Sequence, residues 1–116
     1  MWYRDLWLID HGASLYFHHS IQNWKEQAGK PFVQVKDHVL LPFAAELEKA
    51  DAHCKAILTP MLIRSVVLLV PEEWLETEPG IPAAEMRLIY EQFLLSRMQS
   101  SEIFIKEALH ARSVSI

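Results

Sequence analysis

From Phe43 onward apolar residues recur at the three- and four-residue spacing of a helix, whereas the first nine residues read as extended segments. Met86, Ile89, Tyr90, Phe93, Leu94 and Met98 form the clearest stripe, which predicts a helix burying one face. Ala44, Leu47, Ala50, Cys54, Ile57 and Leu58 repeat the spacing from Phe43 onward and predict a second inward-facing helix. Thr59 followed by Pro60 is a strong start signal: the Thr oxygen accepts from a free amide, and Pro presets the first helical angle. That helix is expected to run to about Val70. Pro71 ends it, and Glu72–Leu75 fit one further turn with Trp74 covering the core. Ser101 is placed to cap a last helix carrying Ile103, Phe104, Ala108 and Leu109.

Shorter elements are predicted upstream. Asn23 can cap a helix through Trp24–Gln27, with Gly29 as its stop and Pro31 beyond. Asp37 can cap a segment from His38 to Leu41 that Pro42 interrupts or restarts. Residues 13–19 fit either an extended stretch or a short helical turn. Trp2 and Tyr3, then Leu6–Ile9, flank the polar pair Arg4 and Asp5, a pattern that predicts a short β-hairpin. The second segment is almost wholly apolar, as in a strand covered on both faces. The expected fold is therefore mainly α: an N-terminal hairpin and four to five helices, forming residues 1–116 as one domain or a fragment of one.

The 116 residues carry 15 acidic against 11 basic side chains, a formal charge of −4. That balance gives no reason to expect a nucleic-acid surface, which needs clustered Lys and Arg. The longest apolar stretches, such as Met61–Val70 with its Arg64, fall short of the roughly 20 residues that cross a bilayer. One cysteine, Cys54, allows no internal disulfide, and no signal-peptide pattern opens the chain. A cytoplasmic, reducing setting is expected.

Asp10 stands where an apolar run stops, followed by His11 and Gly12. In protein kinases a strand ends in Asp-Phe-Gly, whose carboxylate ligates the magnesium bridging the nucleotide phosphates. Asp-x-Gly alone also marks ordinary turns. The longer strings are more specific: LWLIDHGASLYFHH from Leu6 to His19, PFVQVKDHVLLPFA from Pro31 to Ala44, and VPEEWL from Val70 to Leu75. Together they resemble the HipA-like kinase family in its compact bacterial branch, over most of the chain and in order. The resemblance implies part of the C-terminal lobe of a kinase-like fold, with Asp10 as the magnesium ligand, His11 and Gly12 shaping the turn, and Mg²⁺ and ATP as cofactors.

The family's catalytic loop, with its Asp and Asn, and its nucleotide lobe with a lysine precede this segment and have no counterpart in this sequence. Phosphoryl transfer needs the nucleotide positioned, its phosphates clamped and the attacking hydroxyl oriented. One carboxylate cannot do all three, so the isolated chain is expected to be inactive. Met1 lies nine residues before Asp10, which fits either an internal start in an interrupted reading frame or a separate chain supplying the other lobe. A missing lobe or self-association through exposed apolar surface is the expected partner. The alternative from a different class is a small, non-catalytic helical interaction protein.

Other chemistry-bearing residues point to structural roles. His11, His18 and His19 lie near Asp10 but match no standard metal spacing. His38, His53 and His110 sit among charged neighbours and are expected to be solvated. Cys54, at an apolar helical position, reads as a small buried hydrophobe rather than a nucleophile. Ser14 lacks the flanking glycines of a nucleophile elbow. Trp7, Trp24 and Trp74 are expected to complete the core.

Overall fold

The computed structural model describes Trp7, Leu8, Leu15 and residues 21–115. Among them are six α-helices: α1 (Trp24–Ala28), α2 (Leu47–Ile57), α3 (Pro60–Leu68), α4 (Glu72–Leu75), α5 (Ala83–Gln99) and α6 (Ser101–Ser115). Three 3-10 turns, Ile21–Asn23, Val33–Asp37 and Leu41–Phe43, complete the regular structure.

The mainly helical expectation holds, while the hairpin does not find support. Trp7 and Leu8, inside the expected second strand, are outside regular structure and 74% and 76% exposed. A strand covered on both faces would have hidden both side chains. The rest of the expected hairpin lies outside the described residues.

The helix starting at Thr59 and Pro60 forms as the sequence predicts. Thr59 Oγ1 accepts from the Leu62 amide at 3.2 Å, and Pro60 occupies the first turn. The helix stops at Leu68, two residues early, with Leu69 and Val70 closing it through short-range amide bonds to Val66 and Val67. At α1 the element is right but its cap is not. Asn23 makes no side-chain cap bond because a 3-10 turn already leads into the helix, and Gly29 ends it without a left-handed angle. Val39 and Leu40 form a turn and Leu41 opens the next 3-10 turn, in place of the segment from His38 to Leu41 expected after Asp37, since the preceding residues already curl into a 3-10 turn that ends at Asp37.

Before α5, Gly80 takes φ of +83°, and a Cβ placed there would meet nothing within 4 Å. Backbone conformation, not crowding, is what favours glycine at this turn.

Helix α5 is the spine. It packs against α1, α3 and α4, and its buried Ala83, Met86 and Phe93 join Ile21, Ala28 and Leu75 in one core cluster. Leu15, Trp24, Ile89, Tyr90 and Leu94 pack on its edge. The second cluster is smaller. Leu41, Ala108 and Ala111 are buried where α6 meets α2 and the 3-10 turns of residues 33–43, with Val35 and Leu47 beside them.

Three expected core placements are overturned, the first being Trp7, which is 74% exposed. Trp74 is 72% exposed whereas its neighbour Leu75 is 3% exposed, because the single turn of α4 directs Leu75 onto α5. Helix α2 has no buried residue, and Cys54 on it is exposed. Its apolar stripe meets α6 at one edge only, so the spacing is helical but the face is half open.

Candidate functional site

Asp10, His11 and Gly12 lie outside the described residues, as do Ser14, His18 and His19. Among the described residues, no group of three or more His, Cys, Asp or Glu side chains is placed to hold a metal ion. His38, His53 and His110 are exposed as expected, and the His38 ring accepts the Leu40 amide through Nδ1 at 3.2 Å, a local turn contact.

An apolar cleft between α3, α4 and α5 brings distant parts of the chain together, as do a hollow of about 330 Å³ between residues 55–60 and 95–99 and one of about 230 Å³ between residues 35–47 and Ala108. The volume of the cleft is about 320 Å³, at the low end for ligand pockets. Val66 and Val67 of α3 form one wall, Tyr90 and Leu94 of α5 another, and Val70, Trp74 and Leu75 close one end. Leu15, five residues beyond Asp10 in the chain, also lines it. Hollows at Gln27–Gln34 and Phe43–Ala50, about 360 and 440 Å³, are larger, but each is lined by one local stretch and is a surface groove.

No charged side chain lines the cleft, so it suits an apolar or aromatic group rather than a phosphate. The Trp74 indole and the Tyr90 hydroxyl are its polar side-chain groups. Burial raises the Tyr90 pKa above its ordinary 10.0, because the phenolate would lose hydration there.

The cleft continues onto an open face of α3. Ile63 and Val67 of this helix turn toward α5 and are buried, while Met61, Leu62, Val66, Leu68 and Leu69 remain exposed. Arg64 is the one charged residue in Pro60–Leu68. A helix apolar on nearly every side ordinarily sits inside a protein, so the outward half of α3 is surface of an interior kind.

Three arginines tie distant segments of the framework together, Arg87 alone of them beside the cleft, and nothing in their spacing announces it. Arg87 donates to the Val67 carbonyl at 2.6 Å, fixing the end of α3 against α5. Arg97 donates to the carbonyls of Lys30 at 2.6 Å and Ala28 at 3.2 Å, where α1 ends, and its guanidinium stacks 4.4 Å from the Phe104 ring centre. Arg112 reaches the Pro42 carbonyl at 3.5 Å. Arg97 and Arg112 bring cations to carbonyls near the end of an earlier element, and Arg87 adds a second donor to the Val67 carbonyl, which also accepts from the Val70 amide.

Comparison of the chain with protein-family models, curated proteins and solved structures found no match. None of the described helices is long and apolar enough to cross a membrane.

Proposed function

We propose that this chain is the C-terminal part of a HipA-like ATP-dependent kinase, without phosphotransfer activity by itself. The observation that carries this reading is the run from Leu6 to His19, where Asp10-His11-Gly12 follows an apolar segment, in order with Pro31–Ala44 and Val70–Leu75. A helical body downstream of that run fits the C-terminal lobe of a kinase-like fold. The exposure of Trp7 and Leu8 just before Asp10 fits a segment that a second lobe covers.

In this reading Asp10 supplies one carboxylate to magnesium, which needs about six oxygen ligands and takes several from water and phosphate. Bound there, the metal would neutralise charge on the nucleotide phosphates. The test joins the chain to the nucleotide lobe and catalytic loop of a HipA-like kinase and titrates Mg²⁺ with a non-hydrolysable ATP analogue. Magnesium-dependent binding that Asp10→Asn lowers at least tenfold is the expected result. Equal binding by both forms overturns the role of Asp10. Phosphate transfer by the chain alone, abolished by Asp10→Asn, overturns its inactivity.

The open apolar face of α3 favours a second reading, a non-catalytic helical interaction protein. Absence of any magnesium–nucleotide binding in the joined protein would favour it over the first.

A further inference from the structure

We infer that the flank of α3 running through Leu62, Val66 and Leu69 to Trp74 is a docking surface for a basic amphipathic helix of another protein. The inference rests on the interaction reading, whose partner it names by chemistry, and it stands whether or not Asp10 binds magnesium.

The apolar part of the surface follows from the helical period. Ile63 and Val67 turn toward α5 and are buried, which puts Leu62, Val66 and Leu69 on one outward flank and Arg64 on the other. Leu62, Val66 and Leu69 are 37%, 52% and 80% exposed. Val66 also lines the cleft that Trp74 helps to close, so the stripe continues to an exposed indole. Apolar residues at i, i+4 and i+7 match the stripe of a partner helix, and a large aromatic at the end of the contact is the kind of residue that dominates interface energies.

Charge decides what covers the stripe. Between Arg64 and Arg87 the chain carries five glutamates, Glu72, Glu73, Glu76, Glu78 and Glu85, and no lysine or arginine. The first four flank Trp74, two on α4 and two just after it, and all four are exposed. Where the structure pairs carboxylates with lysines it uses Glu26, Glu46, Asp51 and Glu102, and the four glutamates around Trp74 enter none of those pairs. Their combined charge equals the −4 of the whole chain, so the rest of the chain is balanced and this end of the stripe carries the excess.

That rim separates the possible occupants. A twofold copy would bring four further glutamates toward the same ones, and an anionic lipid surface would meet them with its own negative charge. A helix with leucines on one face and lysines or arginines beside them covers the stripe and is attracted at the rim, which speeds encounter and selects the partner.

The test titrates the full chain with three synthetic peptides of about 18 residues, or five helical turns. One carries leucine at helical spacing on one face and lysine elsewhere, the second has glutamate in place of lysine, and the third scrambles the first so that its leucines share no face. At about 150 mM salt, where longer-range attraction is screened, the lysine helix should bind with Kd of roughly 10 μM and the other two at least ~tenfold more weakly. Glu72→Gln, Glu73→Gln, Glu76→Gln and Glu78→Gln together should raise that Kd at least ~tenfold. Glu26→Gln, Glu46→Gln, Glu48→Gln and Glu102→Gln remove the same charge elsewhere and should change it less than about twofold. Val66→Ser with Leu69→Ser should also raise it at least ~tenfold, with the helical circular-dichroism signal unchanged. Should that variant unfold, the glutamine sets, all at exposed positions, still decide the matter.

Equal weakening by the two glutamine sets overturns the proposal, since net charge alone would then drive binding. Equal binding of the lysine and glutamate helices overturns it too, and leaves the interaction reading in place with a partner of other chemistry. So does failure of all three peptides to bind. A dimer of the chain that Leu69→Ser breaks up, or retention on phosphatidylserine vesicles through Val66 and Leu69, overturns it by giving the face another occupant. Asp10→Asn should leave the Kd of the lysine helix unchanged, so failure here is distinct from failure of the kinase reading.

Discussion

The two halves of the helical body are built on different terms. Around α5, large side chains such as Met86, Phe93 and Leu75 are enclosed by helices arriving from more than one side. Around α6, the buried apolar residues are Ala108, Ala111 and Leu41, and the neighbours are 3-10 turns and one edge of α2. The first half gains stability chiefly from the area of large apolar groups removed from water. The second depends on close approach, since alanine contributes little area but leaves room for backbone. Large residues at helical spacing thus make a tolerant core, while small residues make one that is sensitive to added volume.

The largest expected effect follows from that contrast. Phe93→Ala should cost about 3–4 kcal/mol, read from urea unfolding, because it removes a wholly enclosed ring from the α5 core. Loss of less than about 1 kcal/mol would show that the core collapses around the gap and is looser than its burial indicates.

Ala111→Leu should cost about 2 kcal/mol by overpacking α6 against residues 33–43. Amide exchange should accelerate mainly in those elements while α5 keeps its protection. Uniform acceleration through both halves would break the comparison and make the body one cooperative unit.

Arg97 ties the halves together, since it reaches the end of α1 and stacks on Phe104 of α6. Arg97→Met should cost about 1–2 kcal/mol by leaving carbonyls unpaired. Lysine should restore only part, because it keeps the charge without the planar fork. Full recovery with Lys would reduce the role of Arg97 to charge alone.

The smallest effect concerns pH and belongs to the α5 half. Burial raises the Tyr90 pKa, so the unfolded chain releases this proton near pH 10 while the folded chain still holds it. The associated stability is fully present below pH 10 and is lost as pH rises through the higher folded value. Melting curves above pH 10 should therefore fall more steeply for the unaltered protein than for Tyr90→Phe. Identical slopes would show that Tyr90 does not sense the cleft.

The same contrast explains which elements could be read from the sequence. The α5 stripe was legible because one face of a single long helix meets several partners, so periodicity and burial coincide. Thr59-Pro60 was legible because capping is local chemistry. Trp74 and Leu75 were not, because a one-turn helix has too few residues for its period to say which side faces inward. Cys54 misled for a related reason: its spacing reports a helix, but whether that face is covered depends on what packs there.

The candidate site divides along the same line. Asp10 and the strings around it belong to sequence alone, and the role proposed for it rests there. The α3–α5 cleft, the open face of α3 and the three arginine clamps joining residues as many as 70 positions apart come only from the tertiary structure. Helix period, caps and turns arise from interactions within a few residues, so sequence by itself determines them. Which face is covered, and which carbonyl a long side chain reaches, depends on segments brought together by the whole fold, and only the assembled structure decides it.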